Sequence, residues 1–409
     1  MVTVSLTAGC KAIVGFCRIK NVQTQPTSPA QELGPTKDSA RKRNSQSMIN
    51  QTKLLEIING RRQGIGATMT RALLWALTPI YRLGVHRRNR RFETGKTVVT
   101  KVDVPVISVG NLTTGGTGKT PLVIWLCQQI RGVDRRVAIV SRGYGAAKNG
   151  DRTSKPNDEA MELGQRLPDV PHLQDPNRVD SARIAIDELE TEVIVMDDGF
   201  QHRALGRDLD IIVVDATAPF GFGHLLPRGL LREPVENIAR ADFVVLSRCD
   251  QVSGEELSRT ETNFRQYCPS LPVAKTKVQP ATWMQYDGQQ RELAEFASSL
   301  TKGTGSTNVF VCCAIGNPNS FLNTVSSTGV KVVGQNIYPD HHLYSRADME
   351  DIAEAATEKG AAAIVCTHKD LVKMGVNQFR GVPIYALVAE IVFLQGETEL
   401  RAAVESALG

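Results

Sequence analysis

A glycine-rich loop that joins a short apolar strand to a helix places the strongest constraint on the fold of this chain. The sequence predicts the strand over residues 104–109 and the helix over residues 121–131, and the loop between them reads GNLTTGGTGKT. Thr113 stands where the usual phosphate-binding pattern begins with glycine, but the later glycines, the lysine and the final threonine are present. Backbone N–H groups in such a loop, together with the positive end of the next helix, bind phosphate oxygens. The spacing therefore predicts an α/β domain that binds a nucleotide, and a chance glycine-rich turn is the alternative.

The loop contains the candidate ligands of the nucleotide and of its metal ion. Lys119 is predicted to reach the β- and γ-phosphates, and the Thr120 hydroxyl is predicted to coordinate Mg²⁺. The predicted nucleotide-binding residues are Thr113, Thr114, Gly115, Gly116, Thr117, Gly118, Lys119 and Thr120. A nucleoside triphosphate and Mg²⁺ are therefore the predicted cofactors.

A second strand, predicted over residues 193–196, runs directly into Asp197 and Asp198. Four apolar residues followed by an acid are typical of a strand whose carboxylate holds Mg²⁺, directly or through water. The alternative is that these aspartates only cap a turn. Further strands predicted over residues 209–214 and 243–246 alternate with helices, which indicates right-handed βαβ units, a parallel sheet and a site at the carboxyl ends of its strands.

The strand–helix pattern loosens after Asp250 and resumes at Val309, which predicts a second, smaller α/β lobe after the phosphate-binding core. Ligands of two-lobed proteins commonly lie in the cleft between the lobes. The predicted organisation is a disordered or wrongly assigned extension (1–47), a basic amphipathic helical segment (48–101), the P-loop core (102–270), a linker region (271–305) and the C-terminal lobe (306–409).

Basic residues are concentrated in the first quarter of the chain. Residues 1–101 contain 18 Lys and Arg but 4 Asp and Glu, whereas the remainder contains 30 and 39. Residues 69–92 combine apolar residues at helical spacing, Trp75 and a run of arginines, which is typical of an amphipathic helix at an anionic membrane surface. A helix that packs on the protein and ends in a solvated basic face fits the pattern equally well. Nucleic-acid binding is disfavoured, because no binding motif surrounds the basic run and the rest of the chain is acidic.

Residues 1–47 are rich in Ser, Thr, Gln and Pro, and this composition predicts a disordered extension. An organelle transit peptide is one interpretation of the extension, because it contains few acids. A true start at Met48 is the other interpretation.

The sequence resembles the tetraacyldisaccharide 4'-kinase family, the lipid A 4'-kinases, over about residues 50–409. The motifs that carry the resemblance are GNLTTGGTGKTP (110–121), SRGYG (141–145), DDGFQHR (197–203), RDLDIIVVDA (207–216), LLPRGLLREP (225–234), YPDHH (338–342) and THKD (367–370). The family transfers the γ-phosphoryl group of ATP to the 4'-hydroxyl of a tetraacylated glucosamine disaccharide 1-phosphate, which forms lipid IVA. The resemblance therefore implies a kinase with ATP and Mg²⁺ as cofactors and this lipid as substrate.

The resemblance also implies a place of action. The family works at the cytoplasmic face of the bacterial inner membrane, where its basic N-terminal helix meets the bilayer, and an organelle of bacterial descent is the alternative. No apolar run in the sequence approaches the roughly 18 residues that a membrane-spanning helix needs. The implied association with the membrane is therefore peripheral.

The catalytic residues are assigned by position within the family motifs. The family's catalytic aspartate follows glycine in a Gly-Asp-Glu stretch, and residues 157–159 read NDE here, so the resemblance implies that Asp158 accepts the proton of the sugar hydroxyl. An N-cap of the following helix is the alternative role of that aspartate. The Pro-Asp-His stretch assigns the partner histidine to His341, and His342 is predicted to be structural. Arg232 is predicted to contact the transferring phosphate in a bidentate manner, and a surface ion pair is the alternative.

Two other classes of function stay open on the residues alone. A membrane-associated P-loop ATPase or GTPase switch acting on a protein partner would share the nucleotide site but would not need the YPDHH stretch. A nucleotide-binding scaffold without catalysis is the second alternative. The presence of Lys119, Thr120 and both acids at 197 and 198 argues against the scaffold.

Overall fold

The structure describes most, but not all, of the chain. This computed structural model describes residues 54, 56–143, 158–316, 318–339 and 342–409, and at residues 158, 159 and 304 it describes the helix but not the side chain. The predictions for residues 1–47, for His341 and for the side chain of Asp158 lie outside the described residues.

A sheet of 13 strands runs through the described part of the chain. Its strands are β1 (Val106–Gly110), β2 (Val137–Ser141), β3 (His172–Gln174), β4 (Val193–Asp197), β5 (Leu209–Asp215), β6 (Phe243–Ser247), β7 (Val273–Met284), β8 (Gln290–Glu292), β9 (Asn308–Cys313), β10 (Lys331–Ile337), β11 (Ala363–Thr367), β12 (Gln378–Phe379) and β13 (Val382–Gln395). Their order across the sheet is β3-β2-β4-β1-β5-β6-β7-β13-β11-β9-β10, with β8 beside β7 and β12 beside β13. Adjacent strands are parallel except in the pairs β7–β13, β7–β8 and β12–β13. The predicted α/β class with a mainly parallel sheet is therefore confirmed.

Helices connect most of the parallel strands. The α-helices of the described chain are α1 (Ile65–Glu93), α2 (Lys119–Gly132), α3 (Asp158–Arg166), α4 (Arg178–Leu189), α5 (Gly254–Arg265), α6 (Leu293–Thr304), α7 (Pro318–Ser326), α8 (Arg346–Glu358), α9 (His368–Met374) and α10 (Glu397–Leu408). Short 3₁₀ segments lie at Gly221–Gly223, Val235–Arg240 and Cys249–Gln251.

The strands around β1 form the buried centre of the first half of the sheet, because they are nearly continuous apolar runs. Every residue of β1, β2, β4, β5 and β6 is buried, as expected of parallel strands covered on both faces. β1 lies between β4 and β5, so the chain turns to opposite sides of β1 in its successive crossovers. Ligands of open α/β sheets bind at such a switch point, outside the carboxyl ends of the strands. The topology therefore places the glycine-rich loop at the expected ligand crevice.

The second strand–helix series continues the same sheet. β7 pairs in parallel with β6 and antiparallel with β13, which in turn lies beside β11. Residues 271–305, predicted as the linker region, thus contain β7, β8 and α6, and residues 51–409 form one compact unit. The division of this unit into a core, a linker region and a C-terminal lobe stays a prediction.

Helix α1 contains the segment 69–92, which was predicted to be helical and is. One face of α1 packs on the protein through Tyr81, Val85 and Asn89. Another face exposes apolar side chains at spacings of three and four residues, and we call this set the apolar stripe of α1. The stripe consists of Ile65, Met69, Leu73, Leu77, Ile80 and Leu83. Among the described residues, α1 included, no helix combines the length and the apolar character that crossing a bilayer requires.

Candidate active site

The glycine-rich loop is fixed at both of its ends. β1 ends at Gly110 and α2 begins at Lys119, after Gly118 with φ 88°, a left-handed conformation that favours glycine. The buried Thr117 hydroxyl accepts a hydrogen bond from Asn111 Nδ2 at 3.1 Å, and its carbonyl accepts one from Ser247 Oγ at 2.7 Å. These bonds connect the loop to the ends of β1 and β6. The start of α2 therefore faces the carboxyl edge of the sheet.

The loop residues predicted to bind nucleotide differ in their surroundings. Thr113 is buried, and the Thr114 N–H donates to Leu230 O at 2.8 Å. Gly115 and Gly116 are exposed, and Lys119 and Thr120 are half-buried in the first turn of α2. The exposed turn and the start of α2 are thus the part of the loop that a ligand can reach directly.

The turn after β4 lies directly against the end of β1. The Gly199 N–H donates to Val109 O at 3.0 Å, and a Cβ on Gly110 would lie only 2.4 Å from the Cβ of Phe200. This close approach explains the glycine at the end of β1. It also brings Asp197 and Asp198 to the glycine-rich loop, because β4 is the parallel neighbour of β1.

The side chains of Lys119 and Arg232 both pair with the Asp198 carboxylate. Its Oδ1 lies 3.4 Å from Lys119 Nζ, and both of its carboxylate oxygens accept from the Arg232 guanidinium at 2.9 Å. Burial raises the pKa of the Asp198 carboxyl, but the charges of Lys119 and Arg232 lower it further, so its pKa lies below the usual value. The carboxylate therefore stays ionised at neutral pH, between two cations.

Arg232 reaches Asp198 because its segment runs beside the glycine-rich loop. The Arg232 N–H donates to Leu112 O at 2.7 Å, and Thr113 and Leu231 form an antiparallel bridge. The guanidinium also donates to Gln201 Oε1 at 3.3 Å. The stretch LLPRGLLREP is thus a wall of the phosphate loop, and the ion pair of Arg232 lies within the site.

The chain is similar to known proteins over most of its length. A family model described as LpxK, tetraacyldisaccharide-1-P 4'-kinase, matches residues 70–409. The chain belongs to this tetraacyldisaccharide 4'-kinase family. A tetraacyldisaccharide 4'-kinase of Anaeromyxobacter dehalogenans strain 2CP-1 is 35% identical over 357 residues, which cover 84% of this chain and 92% of that protein. The tetraacyldisaccharide 4'-kinase of Geobacter sulfurreducens is 32% identical over 348 residues, with 82% and 93% covered.

The fold agrees with this assignment. A crystal structure of LpxK from Aquifex aeolicus in complex with ATP superposes with a TM-score of 0.63 at 26% identity, covering 83% of this chain and 100% of that chain. The resemblance seen in the sequence is thus confirmed, and the chain is an ATP-dependent tetraacyldisaccharide 4'-kinase of lipid A biosynthesis. Family membership sets aside the nucleotide-dependent switch and the non-catalytic scaffold.

Helix α3 begins at Asp158, the predicted base, and contacts the C-terminal part of the chain. Gln165 Oε1 lies 2.8 Å from His368 Nε2, and the Arg166 guanidinium lies 3.5 Å from Glu390 Oε1. In the same THKD stretch, Asp370 is fully buried and accepts from Thr367 Oγ1 at 2.6 Å. This family motif thus braces α3 and the sheet.

His342, which was predicted to be structural, contacts Tyr338 and Asp348. Its ring stacks on Tyr338 with centroids 4.6 Å apart, and its Nε2 lies 3.1 Å from Asp348 Oδ2. Asp348 also completes the capping box of α8 with Ser345. His342 therefore helps to fix the beginning of α8.

Three polar residues near the loop were not predicted. Gln201 Nε2 donates to Asn111 O at 2.8 Å, Arg248 donates to Gly116 O at 2.9 Å, and Arg178 donates to Asp198 O at 3.3 Å. Gln201 belongs to the DDGFQHR motif, which was the available signal. Arg178 and Arg248 add positive charge around the loop, and neither lies in a motif that the sequence analysis singled out.

His202 supplies a pH-dependent contribution to stability. Burial, with Arg178 and Arg207 nearby, lowers the pKa of His202 from 6.5 to about 4 in the folded protein. Above pH 6.5 the ring is neutral in both states, and as the pH falls towards 4 the unfolded chain takes up the proton first. The free energy of unfolding is thus expected to fall by about 1–2 kcal/mol, allowing for partial exposure.

Urea unfolding of wild type and His202→Gln at pH values from 7 down to 4.5 measures this effect. The wild type is expected to lose more stability than the variant below pH 6.5, and the two are expected to run parallel above it. Equal losses in both proteins would contradict the assignment.

Proposed function

We propose that the loop amides, Lys119 and Arg232 hold the transferring phosphoryl group of ATP. The observation that carries this proposal is the convergence of Lys119 and Arg232 on the Asp198 carboxylate beside the loop. Cations arranged around one anionic oxygen pair can also bind the oxygens of a γ-phosphate, and a guanidinium does so with two parallel N–H groups. Because the charge in the transition state is spread over the phosphoryl oxygens, such cations lower the barrier.

The residues beside the loop fit a Mg²⁺ ion. Mg²⁺ prefers oxygen ligands and is commonly held by one or two carboxylates together with the phosphates of the substrate. In the described chain no three His, Cys, Asp or Glu side chains cluster as an all-protein metal site would need. We assign the ion to the Thr120 hydroxyl and to Asp197 or Asp198 at the end of β4. When bound, the ion would neutralise charge on the phosphates.

We assign the proton transfer to Asp158, with His341 as the residue that orients it. The 4'-hydroxyl oxygen forms a bond to the γ-phosphorus while the bond from that phosphorus to the β–γ bridging oxygen breaks and ADP leaves. The hydroxyl proton passes to the Asp158 carboxylate. The position of Asp158 at the start of α3, a helix attached to the THKD stretch, supports this assignment. A base and a partner that lie far apart in the sequence would make the reaction depend on the approach of their two segments.

The apolar stripe of α1 is assigned to the lipid surface. Ile80 is 70% exposed and Leu73 is 64% exposed, on a helix whose last turn carries Arg90 and Arg91. Apolar side chains flanked by arginines favour a peripheral position on an anionic bilayer. The acyl chains of the substrate would then reach the enzyme from the bilayer. The use of ATP favours the cytoplasmic face of the bacterial inner membrane, and an organelle of bacterial descent is the alternative.

Phosphoryl transfer from γ-labelled ATP to tetraacyldisaccharide 1-phosphate in mixed micelles tests the assigned site as a whole. We expect labelled lipid from the wild type and its loss from variants of Lys119 and Asp158. Hydrolysis of ATP without labelled lipid would contradict the assignment.

Replacing Asp197 with asparagine is expected to raise the Mg²⁺ concentration for half-maximal activity by roughly tenfold or more. The asparagine keeps an oxygen that can accept from the Asp198 N–H, which donates to Asp197 Oδ1 at 2.9 Å, but it removes the negative charge. A Mg²⁺ titration of kcat measures the shift. Asp250→Asn, at an exposed acid beyond the end of β6, is the matched control and should not shift the curve. An unchanged curve for Asp197→Asn would assign the ion to Asp198 and Thr120.

Replacing Ile80 with aspartate is expected to weaken binding to vesicles by about tenfold or more. Burial of such a side chain contributes about 1.5–3 kcal/mol, and the new carboxylate is repelled by anionic lipid. Cosedimentation with vesicles of phosphatidylglycerol and phosphatidylethanolamine measures the affinity. Leu394→Asp, at a side chain 52% exposed near the end of β13, is the control. Equal losses in both variants would contradict the membrane assignment for α1.

A further inference from the structure

Glu233, the residue after Arg232, is a fully buried carboxylate that joins α1 to the active-site wall. One of its oxygens is paired with Arg88 of α1, and the other accepts from Asn89 Nδ2 of α1 at 3.4 Å. Two further donors come from the segment that follows Glu233. Asn237 Nδ2 donates to Glu233 Oε2 at 2.8 Å, and the Arg240 guanidinium donates to the same oxygen at 2.6 Å. The side chain of Glu233 has no exposed surface. Four donors from two elements therefore fix the position of this carboxylate.

The neighbouring Arg232 is held from α1 as well. Its carbonyl accepts a hydrogen bond from the Tyr81 hydroxyl at 3.0 Å, and its N–H donates to Leu112 O. Burial raises the pKa of Tyr81, so the hydroxyl remains a donor at physiological pH. The two residues 232 and 233 thus connect the active-site carboxylate Asp198 on one side with α1 on the other.

We infer that Glu233 and Tyr81 are positioning residues, which hold the Arg232 guanidinium in the phosphate site from helix α1. The inference rests on the proposed role of Arg232. It adds that α1, besides its assigned contact with lipid, sets the geometry of phosphoryl transfer. Contact between α1 and a lipid surface is then coupled to the phosphate site through the consecutive residues Arg232 and Glu233.

The electrostatics favour a geometric role over a purely stabilising one. A buried ion pair commonly adds little net stability, because the desolvation of both charges offsets their attraction. A buried ion pair whose carboxylate also accepts further hydrogen bonds does fix the positions of its groups, because each bond restricts the same carboxylate. Arg240 extends the set by lying 4.4 Å over the ring of Phe200, in the turn after β4 that carries Asp198.

The test measures kcat, the KM values of both substrates and thermal stability for Glu233→Gln and Tyr81→Phe, each in wild type and in Arg232→Ala. Glu233→Gln is expected to lower kcat by about tenfold to a hundredfold, because small misplacements of a catalytic group have effects of that size. Tyr81→Phe, which removes one hydrogen bond, should lower kcat by about three- to tenfold. In Arg232→Ala, neither change should lower kcat by more than about twofold further, because residues that act as a unit are not additive.

Glu236→Gln is the matched control. Glu236 lies on the same 3₁₀ segment as Asn237 and pairs with Arg82 of α1 at 3.5 Å, but its side chain is 48% exposed. This variant should keep the wild-type kcat.

The outcomes distinguish a failure of the inference about Glu233 and Tyr81 from a failure of the proposed role of Arg232. Near wild-type kcat in Arg232→Ala would overturn the proposed role of Arg232 and the inference with it. A strong loss in Arg232→Ala, followed by further multiplicative losses on adding Glu233→Gln or Tyr81→Phe, would overturn the inference alone. If Glu233→Gln does not fold, Tyr81→Phe is the deciding variant. An unchanged kcat overturns the inference, and a loss of kcat that is seen in the wild type but not in Arg232→Ala supports it.

Discussion

Lys119→Ala is expected to lower kcat for phosphoryl transfer by roughly 10²–10³-fold, the usual effect of removing one preorganised donor at the reacting group. The ammonium lies 3.4 Å from Asp198 Oδ1, and Lys119 is the first residue of α2. No other lysine in the described chain pairs with Asp198, so no second ammonium there replaces it. Arg232 still pairs with Asp198 in the variant, and the fold is therefore expected to persist.

Single-turnover transfer of labelled phosphate, together with thermal unfolding, measures this effect. Lys331→Ala removes an exposed lysine at the start of β10 and is the control for a general loss of positive charge. A loss in Lys119→Ala of less than about tenfold, with the fold intact, would contradict the assignment of this lysine to the phosphates.

The fold around the proposed phosphate site could be predicted because its signals are local. The apolar run of β1, the glycines and the lysine lie within one stretch of sequence, and the apolar run of β4 leads directly to its two aspartates. Parallel strands in neighbouring positions then bring both ends to the same edge of the sheet. The capping box at Ser345 and the last helix, Glu397–Leu408, were likewise predictable from neighbouring residues.

Contacts between distant residues could not be predicted in this way. The sequence marked Arg232 as a member of a motif, but its pairing with Asp198 depends on how the segment folds against the loop. Glu233 meets Asn89 across 144 residues, and no periodicity in either segment indicates that contact. Such pairs are fixed by the assembled sheet and by the packing of α1.

Strand β7 was missed for a physical reason that the structure makes clear. The first half of β7 alternates Lys275 and Lys277 with smaller residues. The second half contains Pro280, and a proline argues against a central strand. The pairing of β7 with β13 shifts its register between Val388 and Ala389, and Pro280 lies opposite Ala389 at that irregularity. A bulge there accommodates the missing N–H of proline, so the strand continues where its sequence predicted a linker.

Asp158→Asn is expected to lower kcat by roughly 10²–10⁴-fold, because the amide cannot accept the proton of the sugar hydroxyl. The KM for ATP should change little, since α3 lies outside the glycine-rich loop. If His341 acts by orienting this base, His341→Ala should lower kcat in the wild type but add little in Asp158→Asn, because the two residues serve one proton transfer.

The competing role of Asp158, an N-cap of α3, makes a different prediction that the same variant tests. Loss of a cap lowers stability by about 0.5–2 kcal/mol when alanine replaces it, whereas asparagine is as good a cap as aspartate. Asp158→Asn therefore keeps the cap and removes only the base, and Asp169→Asn, at an exposed aspartate paired with Arg131, controls for lost charge nearby. A kcat within about tenfold of wild type in Asp158→Asn would leave the capping role alone standing, and the proton acceptor would have to be sought among other acids near the glycine-rich loop.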